Sequence, residues 1–209
     1  MKHLLAVMTM VMITFHSYSQ ITTAKAHFGF NIGDDYQLAN FTQTESYFKK
    51  LAQESDRIEY TVIGKTEEGR DQPMLIVSAP ENLTNISKYQ AIAQRLARAE
   101  ITTSEAHLLA EEGKAIVWID GGLHANETVG MHQLIEMAYL LASNQDPETL
   151  FILENTIILL THANPDGQEL ISNWYMRETA PEKRSLANVP KLYQKYAGHD
   201  NNRDFFMLN

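Results

Sequence analysis

His124-Ala125-Asn126-Glu127 places an imidazole and a carboxylate three residues apart, and this pair is the part of the chain best suited to chemistry. Both side chains can reach one cation across a tight turn, and a mixed nitrogen and oxygen donor set suits Zn²⁺. Ile116 to Asp120 reads as a fully buried strand, Gly121-Gly122 permits a sharp turn, and Glu127 to Leu141 has the apolar spacing of a helix. The pair therefore falls at the carboxyl end of a strand, where open α/β sheets form their ligand sites. Alone the motif is weak: a chain of this composition yields His-x-x-Glu by chance roughly once in two. An ordinary turn whose histidine caps a helix has the same letters.

Its companions raise its weight. Asn164-Pro165-Asp166-Gly167 follows the next apolar strand, Arg177 closes Trp174-Tyr175-Met176-Arg177, and His199-Asp200-Asn201-Asn202-Arg203-Asp204 lies near the end. Each has an ordinary reading. Pro followed by Gly is turn composition whatever else the loop does, Asn202-Arg203 fits a turn, and Arg177 fits a surface arginine. Four signals in one order are harder to obtain by accident.

That order resembles the zinc metallocarboxypeptidases, the family of pancreatic carboxypeptidases A and B and their bacterial relatives. The resemblance runs from about Phe41 to Asn209 and begins with the Gly64-Lys65-Thr66-Glu67-Glu68-Gly69-Arg70 turn. It implies that His124 and Glu127 are two of three zinc ligands and that Arg177 polarises the scissile carbonyl. It further implies that Asn202 and Arg203 grip a terminal carboxylate and that Asp200 hydrogen-bonds the first zinc histidine. The cofactor implied is Zn²⁺, and the partners are peptide or protein carboxy termini. In the family the third zinc histidine, a tyrosine and the general-base glutamate follow the Asn-Arg pair at positions past Asn209. The expectation is thus the amino-terminal half of a catalytic domain, truncated and inactive as it stands. Two other readings compete: a non-catalytic secreted protein that binds peptide carboxylates, and a zinc acyl-amino-acid deacylase of the aspartoacylase type.

The remaining histidines take plainer roles. His132 lies on a different side of its helix from Glu127 and reads as solvated or packed, His107 as surface, and His199 as shaping its loop. His162 ends a strand beside the one before His124. Its default is a hydrogen-bonded core residue, with ligation the minor alternative.

Lys2-His3, the apolar run Leu4 to Phe15 and the small residues Ser17-Tyr18-Ser19 form a cleavable secretory signal, which predicts a secreted or periplasmic protein. The apolar run is too short for a stable membrane anchor. A net charge of -9 without a basic stripe argues against nucleic acid and anionic membranes. The chain has 0 cysteines, which excludes disulfides and thiolate ligands.

These residues need a frame. The domain organisation predicted is a signal peptide over 1–19, a lead-in segment over 20–40 and the catalytic segment over 41–209. Helices are expected over Thr44–Ser55, Ser87–Ala99, Thr103–Glu111 and Glu127–Ala142, with a helical turn after Pro165. Arg57–Ile63 and Pro73–Ala79 read as a hairpin, and Ala115–Asp120 and Thr156–His162 as further strands. Strands that alternate with helices predict an α/β fold of three layers, α/β/α, around a mixed and largely parallel sheet. The resemblance implies that this is an incomplete carboxypeptidase fold, of the phosphorylase/hydrolase-like kind.

Overall fold

Asn40 starts the first long helix, because its side chain accepts from the Gln43 backbone N–H while the Gln43 side chain reaches back to Asn40. This reciprocal capping box places the helix start three residues ahead of the expected Thr44. The computed structural model describes residues 20–189. Within them the chain order is α1 (Ala24–Phe28), α2 (Phe41–Glu54), β1 (Ile58–Lys65), β2 (Asp71–Val77), α3 (Pro80–Thr84), α4 (Ile86–Arg98) and α5 (Thr103–Glu112). Then follow β3 (Ala115–Gly121), α6 (Thr128–Ser143), α7 (Pro147–Asn155), β4 (Thr156–His162), α8 (Pro165–Met176) and a 3₁₀ turn at Pro181–Lys183. The predicted signal segment 1–19 and the candidate site residues Asp200, Asn202 and Arg203 lie outside the described residues.

The four strands form one mixed sheet in the order β1-β2-β4-β3. β1 and β2 make the expected antiparallel hairpin, β2 pairs antiparallel with β4, and β4 pairs parallel with β3. Parallel pairing among the described strands is thus confined to β3 and β4, joined by the crossover through α6. Alternation along the strands sends side chains to opposite faces. Leu75, Val77, Ile158 and Leu160 meet Tyr47, Phe48 and Leu51 of α2 and Leu134, Ile135 and Ala138 of α6. Ile76, Ile157 and Leu159 face the other way, toward Tyr89 and Ile92 of α4 and Leu109 of α5. Helices therefore cover both faces, which gives the three layers.

One strand departs from expectation. Ile116 to Asp120 is not fully buried: Ile116 is 44% exposed and Trp118 is 53% exposed. The apolar run predicts a fully buried strand, but the sheet order puts β3 at an edge, where one flank has no neighbour among the described strands.

The lead-in segment is built into the fold. Thr22 donates its N–H and hydroxyl to Glu54, and the Tyr47 hydroxyl donates to the Thr22 carbonyl. Ala39 is wholly buried, and both its backbone groups are claimed by side chains. Its N–H donates to His132 Nε2 at 3.1 Å, and its carbonyl accepts from Gln168 Nε2 at 2.9 Å. His132 is thus a packed residue, and burial, partly opposed by the Ala39 contact, lowers its pKa and keeps the ring a neutral acceptor. None of the described helices is long and apolar enough to cross a membrane.

Replacing Gln168 with leucine should strand the Ala39 carbonyl in the core. A buried acceptor without a partner costs about 1–3 kcal/mol, so the urea midpoint of Gln168→Leu should fall accordingly. An unchanged midpoint would mean that the lead-in segment is held by other contacts.

Candidate metal site at the strand ends

Strand direction gathers three of the sequence motifs at one end of the sheet. β4 ends at His162 beside Gly121, the end of parallel β3, while β2 runs opposite to β4 and so begins there. The hairpin turn between β1 and β2, the turn after β3 and the turn after β4 therefore share this end.

The turn after β3 is fixed by close backbone approach. A Cβ on Gly121 would stand 2.5 Å from the Gly130 carbonyl oxygen of α6, and one on Gly122 2.5 Å from Met131 Cγ and 3.1 Å from His162 Cε1. Gly122 also has φ +78°, a left-handed conformation open to glycine at little cost. Only with both glycines can the chain pass between α6 and β4 and deliver His124. The Glu127 N–H then donates to the His124 carbonyl at 3.0 Å, and α6 starts.

The two candidate ligands converge. His124 Nδ1 lies 3.1 Å from Glu127 Oε2. At this distance the two side chains are hydrogen-bonded to each other, and two ligands of a tetrahedral zinc with bonds of roughly 2.0–2.1 Å stand about 3.4 Å apart, so a small outward shift of the pair would admit a shared cation. The imidazole is mostly enclosed, with 15% of its side chain exposed, whereas the carboxylate is 69% exposed. The pair fits zinc in donor type and spacing. No group of three or more potential metal-binding side chains occurs among the described residues. Among the described residues, His162 does not join this pair as a third ligand.

The turn after β4 locks onto the first. Asn164 caps α8 by accepting from Gly167 N–H at 2.8 Å, and its Nδ2 donates to the Leu123 carbonyl at 3.1 Å. Ala163 N–H donates to the Gly121 carbonyl at 2.9 Å. A Cβ on Gly167 would meet the Ala125 Cβ at 2.6 Å, so the loops touch without room for another methyl.

Asp166 ties in the hairpin turn. Its carboxylate accepts from Arg70 Nη1 at 2.6 Å, Thr66 Oγ1 at 2.8 Å and Glu68 N–H at 3.0 Å. Burial alone would raise its pKa, but Arg70 and the two other donors overcome that and hold it below the ordinary aspartate value. Sequence reasoning singled out both turns without foreseeing this ion pair.

Arg177 is held elsewhere. It follows α8, with its guanidinium stacked 3.2 Å from the centre of the Trp174 ring and Nη1 donating to the Trp174 carbonyl. It lines a groove of about 370 Å³ with Glu68, Arg70, Glu169 and Trp174, whose walls do not include His124 or Glu127.

With this geometry in view, the similarity to known proteins is informative. The chain belongs to the zinc carboxypeptidase family, whose family model matches residues 44–208. It is 24% identical over 163 residues to carboxypeptidase 2 of Trichophyton rubrum, covering 74% of this chain and 26% of that protein. Carboxypeptidase 2 of Trichophyton equinum is 22% identical with the same coverage. The chain thus spans about a quarter of the length of these relatives. Among solved structures, carboxypeptidase A from Helicoverpa armigera has a TM-score of 0.45 at 19% identity, covering 64% of this chain and 26% of that one. Thrombin activatable fibrinolysis inhibitor has a TM-score of 0.48 at 15% identity, covering 73% and 30%.

The buried end of β4 predicts a pH effect. Desolvation pushes the His162 pKa down to about 4, against the opposing pull of the Gln168 side chain. An unfolded histidine titrates near 6.5, so between about pH 6.5 and pH 4 the unfolded chain binds a proton that the folded chain does not. Stability should fall with pH across that window, by on the order of 3 kcal/mol from this residue. Urea titrations at several pH values should show a shallower decline for His162→Leu. Parallel curves for the two proteins would remove His162 as the source.

Proposed function

We propose that this protein is a secreted zinc metallocarboxypeptidase that hydrolyses peptide bonds at the carboxy terminus of peptides. The observation that carries this reading is the convergence of His124 Nδ1 and Glu127 Oε2 at 3.1 Å, at a strand end of a chain that belongs to the zinc carboxypeptidase family. His124 and Glu127 would hold the metal, which when bound lowers the pKa of its water and polarises the substrate carbonyl. Arg177 would stabilise the developing oxyanion. Arg203 would pair with the terminal carboxylate through its planar fork, with Asn202 beside it, and Asp200 would orient His124. The leader over residues 1–19 supports export.

Zinc binding tests the first element. Equilibrium dialysis of the 209-residue chain should give stoichiometric zinc binding through His124 and Glu127. His124→Ala and Glu127→Ala should each weaken it by at least about tenfold. Zinc uptake that survives both substitutions would place the metal elsewhere.

Substrate polarity tests the second. In the active enzyme, Arg203→Ala should lower kcat/KM for free-acid peptides by about 10- to 100-fold and for the matching amides far less. Arg177→Ala should depress both substrates alike, because the oxyanion forms at the scissile carbonyl in either case. Equal losses on acid and amide for Arg203→Ala would remove the support for carboxy-terminal recognition.

A further inference from the structure

His162 is the one wholly buried histidine among the described residues, and the roles assigned to the metal pair leave it unused. Its surroundings are specific. Nδ1 accepts the Asn164 N–H at 3.1 Å, which identifies the neutral tautomer with its proton on Nε2. The ring edge lies against Gly122, where a Cβ would stand 3.1 Å from His162 Cε1 and 3.4 Å from Nε2. Phe41 meets the ring edge-on with centroids 5.6 Å apart, and the His162 carbonyl accepts from the Gln72 side chain.

A purely apolar residue would fill this space more cheaply. Nε2 of His162 and Oε1 of Gln168 are both buried without a completed hydrogen bond, and such groups carry a cost. What the imidazole supplies in return is an acceptor for the Asn164 N–H, together with a ring edge that packs against Gly122. Asn164 is the residue whose Nδ2 holds the Leu123 carbonyl, and Gly122 stands two positions before His124. One ring thus sets the turn after β4 through a hydrogen bond and the turn after β3 through contact. Met131 Cγ crowds the same position on Gly122, so α6 and the imidazole together leave no room there for a side chain.

We propose that His162 is a positioning residue for the metal site: it fixes the backbone from Gly122 to Glu127, and through it the approach of His124 to Glu127, without itself binding metal. The zinc part of this inference rests on the reading of His124 and Glu127 as ligands, whereas the backbone part does not.

The experiment compares His162→Leu, which keeps bulk but loses the acceptor, with His162→Gln, which can restore an acceptor, and with His132→Leu as a control at the other buried histidine. Hydrogen exchange in the metal-free chain is read first. His162→Leu should speed exchange over residues 121–127 and 163–167 by about tenfold or more, with the interior of α2 unchanged and part of the protection regained in His162→Gln. His132→Leu should instead loosen residues 38–40, because it removes the acceptor of the Ala39 N–H. Zinc affinity is then measured by competition with a chelator. The affinity should drop about 10- to 100-fold in His162→Leu, the range for loss of a ligand's supporting partner, and should hold in His132→Leu. Wild-type exchange over 121–127 in His162→Leu would overturn the proposal, as would equal zinc losses in His162→Leu and His132→Leu, which indicate a global effect. If the unaltered chain takes up no zinc while the local exchange pattern appears, the ligand reading fails and the positioning role stands. If His162→Leu does not fold, the same two readouts on His162→Gln decide it, with wild-type protection and affinity supporting the acceptor role and a loss of both opposing it.

Discussion

The clasp between the turns after β3 and β4 is the constraint on which the site depends. Two short polar links and two steric contacts make it: Ala163 N–H to the Gly121 carbonyl, Asn164 Nδ2 to the Leu123 carbonyl, and the close approaches at Gly122 and Gly167, while the Asn164 N–H to His162 Nδ1 bond stiffens the turn after β4 itself. Each polar link contributes only about 0.5–1.5 kcal/mol net. Their value lies in geometry, since a metal pair built on loops needs its backbone held to within about 0.5 Å. Two parallel neighbouring strands supply the footing, because they bring both carboxyl ends to the same height.

The same logic reaches outward from the clasp. Asp166, one residue past Pro165, gathers Arg70, Thr66 and Glu68, so the β1–β2 hairpin turn is docked on the helix start that Asn164 caps. Gln168, two residues further, grips Ala39 and thereby the lead-in segment. The first turn of α8 is therefore where the hairpin, the lead-in segment and the candidate metal turn are joined. The two sheet edges differ in kind. β1 carries Glu59, Lys65 and a register shift between Val62 and Gly64, features that discourage further pairing, whereas β3 runs from Ala115 to Ile119 without a charge or bulge.

What could be read from the sequence follows from where the information sits. Thr156–His162 was found to the residue because its apolar run is bounded by polar groups and a Pro turn, and β2 and α6 were found within two residues for similar reasons. His124 and Glu127 were legible because only local chain links them. α7 was missed although Asp146-Pro147 is a start signal, with Asp146 accepting from Thr149 N–H and Pro147 opening the helix. α8 was read as one turn but runs to Met176, since the Asn164 cap and the buried face through Ile171 and Ser172 stabilise the full helix. Burial of β3 was misjudged because periodicity reports what a strand could bury, and only the sheet order decides whether a neighbour lies beside it. The Arg70–Asp166 pair, 96 residues apart in sequence, had no local trace.

Arg177 poses the question of magnitudes. Its guanidinium rests on Trp174, a cation–π contact worth about 0.5–2 kcal/mol, with one hydrogen bond to the Trp174 carbonyl worth about 1 kcal/mol net. On the function proposed, its interaction with a developing oxyanion would be worth about 2.7–4 kcal/mol in an enclosed site. The reaction would therefore repay release of the stack, while the weaker demand of a ground-state carbonyl would leave the arginine where it is. On that reading the arginine would contribute more to the transition state than to substrate binding, the difference that raises kcat. Trp174 in turn is held by its indole N–H donating to the Ala187 carbonyl at 3.1 Å, which anchors the ring on which the guanidinium rests.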